Sequence, residues 1–278
     1  MINNLASYRN SLGILSLVEK FKRTNVCRVF FMGHDFQCIC PTITMVNFNN
    51  LYCNAKNWNN CAECINKIKK LPINVLSLED YQEQYSFFIN NIVDKVIVFS
   101  NSTKDIYLTF YPNIESKIDM IPHKVMPLRK VNIKKHNLIN IAVLGNITIP
   151  KGAEMLKKID NILPKFKNIQ MFLFGKRINK FRHIKQKGSY KVAELPDLIE
   201  KNDIDIILIP SICPETFSYA ASETIEMGLP IACFNIGAPV EKIISNNQGI
   251  VISEFNEKKV LKEISNFINN RNRRGVLI

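Results

Sequence analysis

The second half of the chain alternates short apolar runs with longer stretches in which apolar residues recur every three or four positions. A short apolar run bounded by Gly, Pro or Asn reads as a buried strand, and the 3.6-residue period reads as helix. This pattern predicts strands at residues 138–145 (LINIAVLG), 169–175 (IQMFLFG), 204–210 (IDIILIP), 230–235 and 249–252. Helices are predicted over 151–166, 195–202, 218–227 and 257–269. Alternation at this spacing implies an α/β domain with a parallel sheet covered on both faces. Such sheets bind ligands at the carboxyl ends of their strands.

The first half is less regular. An amphipathic helix near residues 8–23 leads to a strand at 27–32, and an Asn- and Cys-rich stretch follows over 36–70. A helix over 78–91, a strand at 95–99 (KVIVF) and a helix over 103–111 come next. Residues 126–136, with Pro127 and several Lys and Arg, read as a linker, and there is no internal repeat. The expectation is therefore two α/β domains, 1–130 and 131–278, and a length of 278 residues suits two domains of about 100–200 each.

Composition narrows the class. Hydrophobic residues at 46% and charged residues at 22% describe a chain that can bury a core, which excludes disordered, collagenous and coiled-coil classes. The sequence has no apolar run of about 18 residues and no secretion signal at its start, so a cytoplasmic protein is expected. The net charge of +13 should attract anions, among them nucleotides and an anionic membrane face, although abundant Asn, Lys and Ile point to a compositional bias behind part of it. The Lys and Arg residues are spread along the chain without a basic-aromatic pattern, so nucleic acid is not an expected partner.

Two segments carry chemistry. In LGNITIPKG the predicted strand ends at Gly145, and Lys151 and Gly152 open the next helix. Free backbone amides, a helix start and an ammonium group together suit a phosphate; a tight turn with a solvent-facing lysine is the plainer alternative. The second segment, PETFSYAASETIEMGLP, places Glu215 in the loop after a strand and Glu223 about two turns into the following helix. Paired carboxylates at a crevice accept hydrogen bonds from sugar or ribose hydroxyls. The alternative is two solvated glutamates on a helix edge.

The run IPSICPETFSYAASETIEMGLPIACFNIGAPVEKI, with VLGNITIPKG upstream and Gly237 and Glu241 downstream, resembles the donor-binding signature of the retaining GT-B glycosyltransferases of family 4. The likeness extends over residues 138–255. In the first half, FFMGHDFQCICPTI, with Cys53, Cys61 and Cys64 behind it, and FSNSTKDIYLTFYP are similar to the acceptor domain of a subgroup associated with bacterial cell-surface polysaccharides. The resemblance implies a GT-B-like pair of Rossmann-like domains and transfer of a sugar from a nucleotide-sugar to a glycan or lipid-linked acceptor, at or near the inner face of the membrane. Glu215 would hold donor-sugar hydroxyls and Glu223 the ribose. Lys151, with Gly145 and Gly152, would meet the diphosphate, aided by backbone amides at Thr216, Phe217 and Ser218. His34 takes the place of the acceptor-side histidine, and no catalytic metal is expected.

Two departures stand out. Asn146 replaces the family's usual arginine, leaving Lys176 or Arg177 as substitutes for its charge. The family's opening strand and glycine-rich turn have no counterpart before the strand at 27–32, so the first domain is expected to be incomplete, and a silent or split-subunit homologue is the alternative. Separately, Cys40, Cys53, Cys61 and Cys64 are spaced C-x12-C-x7-C-x2-C, which suits a structural zinc. Reduced thiols, an iron–sulfur cluster and disulfides are the alternatives. Cys27, Cys213 and Cys233 sit among apolar residues and are expected in the core.

Overall fold

The structure, a computed structural model, describes residues 5, 10–73, 75, 77–133, 136–176 and 180–273. They form two compact units, Met1–His123 with Cys213–Phe217, and Lys124–Ile212 with Ser218–Ile278. No helix among the described residues is long and apolar enough to cross a membrane.

In the first unit, helix α1 (Ser11–Thr24) is capped by the Asn10 side chain, which accepts from the Gly13 N–H, and it leads to strand β1 (Phe30–Met32). The stretch 36–70 holds one short helix, α2 (Cys61–Lys67), and one isolated bridge between Val46 and Tyr52. Helix α3 (Leu78–Phe87) runs into a π-helical turn, Phe88–Ile92, before strand β2 (Lys95–Val98). Helix α4 (Asn101–Phe110), capped by Ser100, and strand β3 (Ile118–Met120) complete the unit. The three strands are parallel in the order β1-β2-β3, and only central β2 is largely buried. Strand β3, unpredicted, is three residues long with no buried position, so hydrophobic patterning has nothing to read.

Four fully buried tyrosines, Tyr81, Tyr85, Tyr107 and Tyr111, fill the core behind this sheet. Three of their hydroxyls donate to carbonyls of the turn after β1: Tyr107 to Asp35 at 2.9 Å, Tyr81 to Gln37, and Tyr111 to Cys38. A buried phenol needs a partner, and these three satisfy turn carbonyls that no strand neighbour takes up.

The second unit is a six-stranded parallel sheet. Its strands are β4 (Ile139–Leu144), β5 (Ile169–Phe174), β6 (Lys185–Gly188), β7 (Ile206–Ile209), β8 (Ile231–Phe234) and β9 (Gly249–Ile252). Their order is β6-β5-β4-β7-β8-β9. The helices are α5 (Ala153–Ile162), α6 (Leu195–Lys201), α7 (Tyr219–Glu226), α8 (Ala238–Asn246) and α9 (Glu257–Arg273). Alternate strand residues enter two separate cores. Ile141, Val143 and Leu208 pack with α5 and α9, whereas Ala142, Leu144 and Ile209 pack with α6, α7 and α8. This is the period of two expected of a strand covered on both faces.

Several boundaries depart from the sequence reading. Helix α5 starts at Ala153, which leaves Lys151 and Gly152 in the turn ahead of it. Helix α8, unpredicted, opens on Gly237-Ala238-Pro239, which reads as a turn although proline is tolerated in a first helical turn. Strand β6 (KQKG) has four exposed residues and owes its existence to pairing with β5. The expected linker at 126–136 also behaves differently: Val131 and Ile133 are buried in the second core, and Val131 N–H donates to the Met227 carbonyl at 3.0 Å.

Asp160 on α5 is 3% exposed and accepts three backbone N–H groups, from Arg182, His183 and Ile184, each at 2.8 Å. It fixes the segment that delivers β6 to the sheet edge. Asp160→Ala should therefore leave three buried donors unpaired and lower the unfolding free energy by about 2–4 kcal/mol, read as an earlier urea midpoint.

Candidate functional site

The strand order of the second unit reverses direction at β4. Chain connections run from β4 through β5 to β6 on one side, then return across to β7 and continue to β9. Helices α5 and α7 consequently leave β4 and β7 towards opposite faces, and a crevice opens at the carboxyl ends of these two adjacent strands. Gly145, Lys151 and Gly152 lie in the turn after β4, while Ser218 caps α7, the helix that follows β7, and Glu223 lies within it. Gly145 ends β4 with φ of 97°, and its N–H donates to the Phe174 carbonyl at 2.9 Å.

Gly152 sits against the chain leaving β7. A Cβ on Gly152 would lie 2.1 Å from the Pro210 carbonyl oxygen, and φ is 86°, so this position requires glycine on two counts. Ile212 N–H donates to the Pro150 carbonyl at 2.9 Å, a second tie between the same two loops. Lys151 is half-buried between these contacts. Ser218 caps α7 from the left-handed region (φ 65°), its hydroxyl accepting from the Ala221 N–H. One turn on, Glu223 is 7% exposed, and burial pushes its carboxyl up to about 7. It is thus a buried carboxyl poised near neutrality.

Asn146 is exposed, as is Lys176, whose carbonyl accepts from the Ile147 N–H at 2.9 Å. Arg177 lies outside the described residues.

The remaining candidates belong to the first unit. His34 follows β1 in the turn held by the tyrosine hydroxyls, half-buried, and burial lowers its pKa, which favours neutral imidazole. Its ring stacks on Phe99 at 4.8 Å and on His123 at 5.5 Å. The carboxyl of neighbouring Asp35 is raised by burial, against the pull of the Gln37 N–H it accepts. Thr216 belongs to this unit and donates through its hydroxyl to the His34 carbonyl at 3.0 Å, while Thr103 donates to the Thr216 carbonyl at 3.3 Å. Phe217 is buried and meets the His123 ring edge-on at 5.1 Å. Glu215, half-buried, lies in the same short segment. The structure thus joins His34 to Thr216 in one unit and groups Gly145, Lys151, Gly152, Ser218 and Glu223 in the other. His123 was not anticipated, because one histidine after Pro122 has no local pattern to mark it.

The cysteines divide by environment. Cys40, Cys53, Cys61 and Cys64 line one cavity of about 390 Å³. Burial pushes the thiols of Cys40 up to about 11 and Cys61 up to about 12, each further raised by neighbouring cysteines of the set. The four share a space, yet among the described residues no group of three or more His, Cys, Asp or Glu side chains is assembled to hold a metal ion. All eight cysteines are free thiols. Cys213 and Cys233 are buried as expected, whereas Cys27 is only half-buried. It precedes β1, on a side of the sheet where no further strand lies among the described residues.

The fold is shared with solved glycosyltransferase structures. HepE of Anabaena, solved with UDP, superposes with a TM-score of 0.63 at 13% identity, over 97% of this chain and 68% of that one. A variant of S. aureus TarM, solved with fondaparinux, alpha-GlcNAc-glycerol and UDP, gives a TM-score of 0.52 at 19% identity, over 68% of this chain. Sucrose-phosphate synthase of Thermosynechococcus elongatus gives 0.54 at 15%, over 70% of this chain and 55% of that one. The match spans only 40% of the length of TarM. A search of curated protein sequences finds no match. The family model for glycosyl transferases group 1 matches residues 127–278, more than half of the chain and nearly all of the unit that carries the β4–β7 crevice. On that match the chain belongs to the glycosyl transferases group 1 family.

Proposed function

We propose that the protein is a retaining glycosyltransferase that moves a sugar from a nucleotide-sugar to a glycan or lipid-linked acceptor. The observation that carries this reading is the crevice at β4 and β7: the glycine-tight turn with half-buried Lys151 leaves β4, and α7, which follows β7, carries the buried carboxyl of Glu223. UDP in the HepE and TarM structures supports a nucleotide-sugar donor. In this reading the Lys151 ammonium and the amides opening α5 face the diphosphate, joined by those at Thr216, Phe217 and Ser218. Fixed positive charge there stabilises the leaving group as the bond from the anomeric carbon to the diphosphate oxygen breaks. The acceptor hydroxyl oxygen bonds to that carbon on the same face, and its proton passes to the departing diphosphate. Glu215 holds hydroxyls of the reacting sugar, Glu223 holds the ribose, and His34 serves the acceptor side. These roles need no metal in the donor site. Work at the cytoplasmic face of a membrane, aided by the +13 charge, belongs to the same proposal.

A second reading, a silent or partner-dependent homologue that binds donor without turnover, is favoured by exposed Asn146 at the place expected to hold a fixed positive charge. Parallel measurement of donor binding and of transfer separates the two. Binding without transfer or hydrolysis selects the silent form.

The spacing of Cys40, Cys53, Cys61 and Cys64 and their shared cavity support a structural zinc. Binding would require the thiols to draw together and lose their protons. Purified protein should carry about one zinc per chain, released by the paired change of Cys61 and Cys64 to Ser; a metal-free, fully folded preparation ends this reading.

For the donor site, Lys151→Ala should weaken nucleotide-sugar binding roughly ten- to a hundredfold by calorimetry. Glu215→Gln should lower kcat more than it raises KM, because its hydrogen bonds strengthen as the sugar becomes oxocarbenium-like, whereas Glu223→Gln should mainly raise KM. Unchanged values in all three variants would overturn the assignment.

Glu223 also carries a pH signature. Its carboxyl is raised in the folded chain, so the stability tied to its protonated form is full below about pH 4.5 and is lost as pH rises through about 7. Glu223→Gln should remove that loss, gaining up to about 3 kcal/mol over the native chain at pH 8 and nothing at pH 4, measured by denaturant titration at both values.

A further inference from the structure

A cavity of about 450 Å³ lies in the first unit between α1 and β1, within the range of about 300–1,000 Å³ typical of small-molecule sites. Its walls are mostly apolar and include Leu15 and Val18 of α1, Phe31 of β1, and Phe88; Arg28, which precedes β1, also lines it, at the opposite end of that strand from Asp35 and Gln37. Strand β1 is the edge of its sheet, so no strand among the described residues closes this side. His34, Asp35 and Gln37, from the turn after β1, supply polar groups to the lining.

Gln37 is the informative residue. It is 2% exposed, and neither its side-chain oxygen nor its side-chain nitrogen has a hydrogen-bond partner among the described residues. Its backbone is fully engaged, the carbonyl accepting from Tyr81 and the N–H donating to Asp35 Oδ1 at 2.8 Å. The residue is therefore held in place by its main chain while its amide is left unpaired beside an apolar cavity. Burying an unpaired amide is costly, and leucine would fill the same space without that cost. An amide offers one donor group and one acceptor group, which matches a hydroxyl, and the walls match a hydrocarbon. The neighbouring Asp35 carboxyl disfavours an anionic head at the same end.

We infer that this cavity binds the hydrocarbon-bearing part of the acceptor, an amphiphile whose uncharged hydroxyl-bearing head pairs with the Gln37 amide while its tail lies against Leu15, Val18, Phe31 and Phe88. The link to sugar transfer rests on the proposed function; the binding does not. A linear ten-carbon alcohol, titrated below its solubility limit and followed by ligand-observed NMR, tests it on the full chain. Saturable binding is expected, about fivefold or more weaker in Gln37→Leu, which keeps the backbone bonds to Tyr81 and Asp35. Leu15→Trp, which fills the cavity, should abolish it and leave nucleotide-sugar binding unchanged. If that variant does not fold, Val18→Trp occupies the same space from the neighbouring turn of α1. No saturable binding by the native chain, or equal affinity in Gln37→Leu, overturns the inference. Saturable binding by a chain that never transfers sugar overturns the transferase reading and supports the cavity's role.

Discussion

The second unit is organised by the close approach of two main chains, Gly152 against the carbonyl of Pro210. Parallel strands cannot be joined by tight turns, so every connection needs a crossover, and the direction of crossover changes between β4 and β7. That change leaves two neighbouring strand ends with their helices departing to opposite faces. The gap becomes a defined crevice only because the two exit loops touch, and they touch at van der Waals range of bare backbone. Lys151 takes its half-buried place from that contact.

The first unit solves a different problem. It has three parallel strands and a long segment with almost no regular structure after β1, so its turn carbonyls lack sheet partners. Tyrosines from α3, from α4 and from just beyond α4 reach across and supply them. His34 is thereby carried on a turn whose geometry is set from behind by buried phenols, while its ring meets Phe99 and His123 in front. A neutral imidazole on such a mount can accept a proton or a hydrogen bond from a hydroxyl without first losing a counter-ion.

How far the sequence could be read follows from burial. Strands β4, β5, β7 and β8 are buried on both faces and show as continuous apolar runs. Strand β6 shows nothing, because its residues are exposed and polar and its pairing comes from β5. Helix α8 was hidden by a glycine and proline that serve as its start. Among the candidate site residues, Gly145, Lys151 and Gly152 were legible because a strand-turn-helix carries its own punctuation. The cavity partner Gln37 and the ring partner His123 were not, since each acquires meaning from residues far away in sequence. The segment around Val131 and Ile133 looked like a tether because lysines and arginines dominate it, and only the third dimension shows two of its side chains used as core.

Strand β6 bears on the interpretation of the chain's charge. It forms the outer margin of the six-stranded sheet, and such a margin is a template on which another chain can polymerise. Lys185 and Lys187 stand on one side of it, with their ammonium groups over the Phe172 ring at 5.2 and 5.5 Å. Their stems shield an aromatic face, and their charges repel any second copy that tries to pair there. Part of the +13 excess therefore acts as a guard against self-association, a duty that requires no anionic ligand at all.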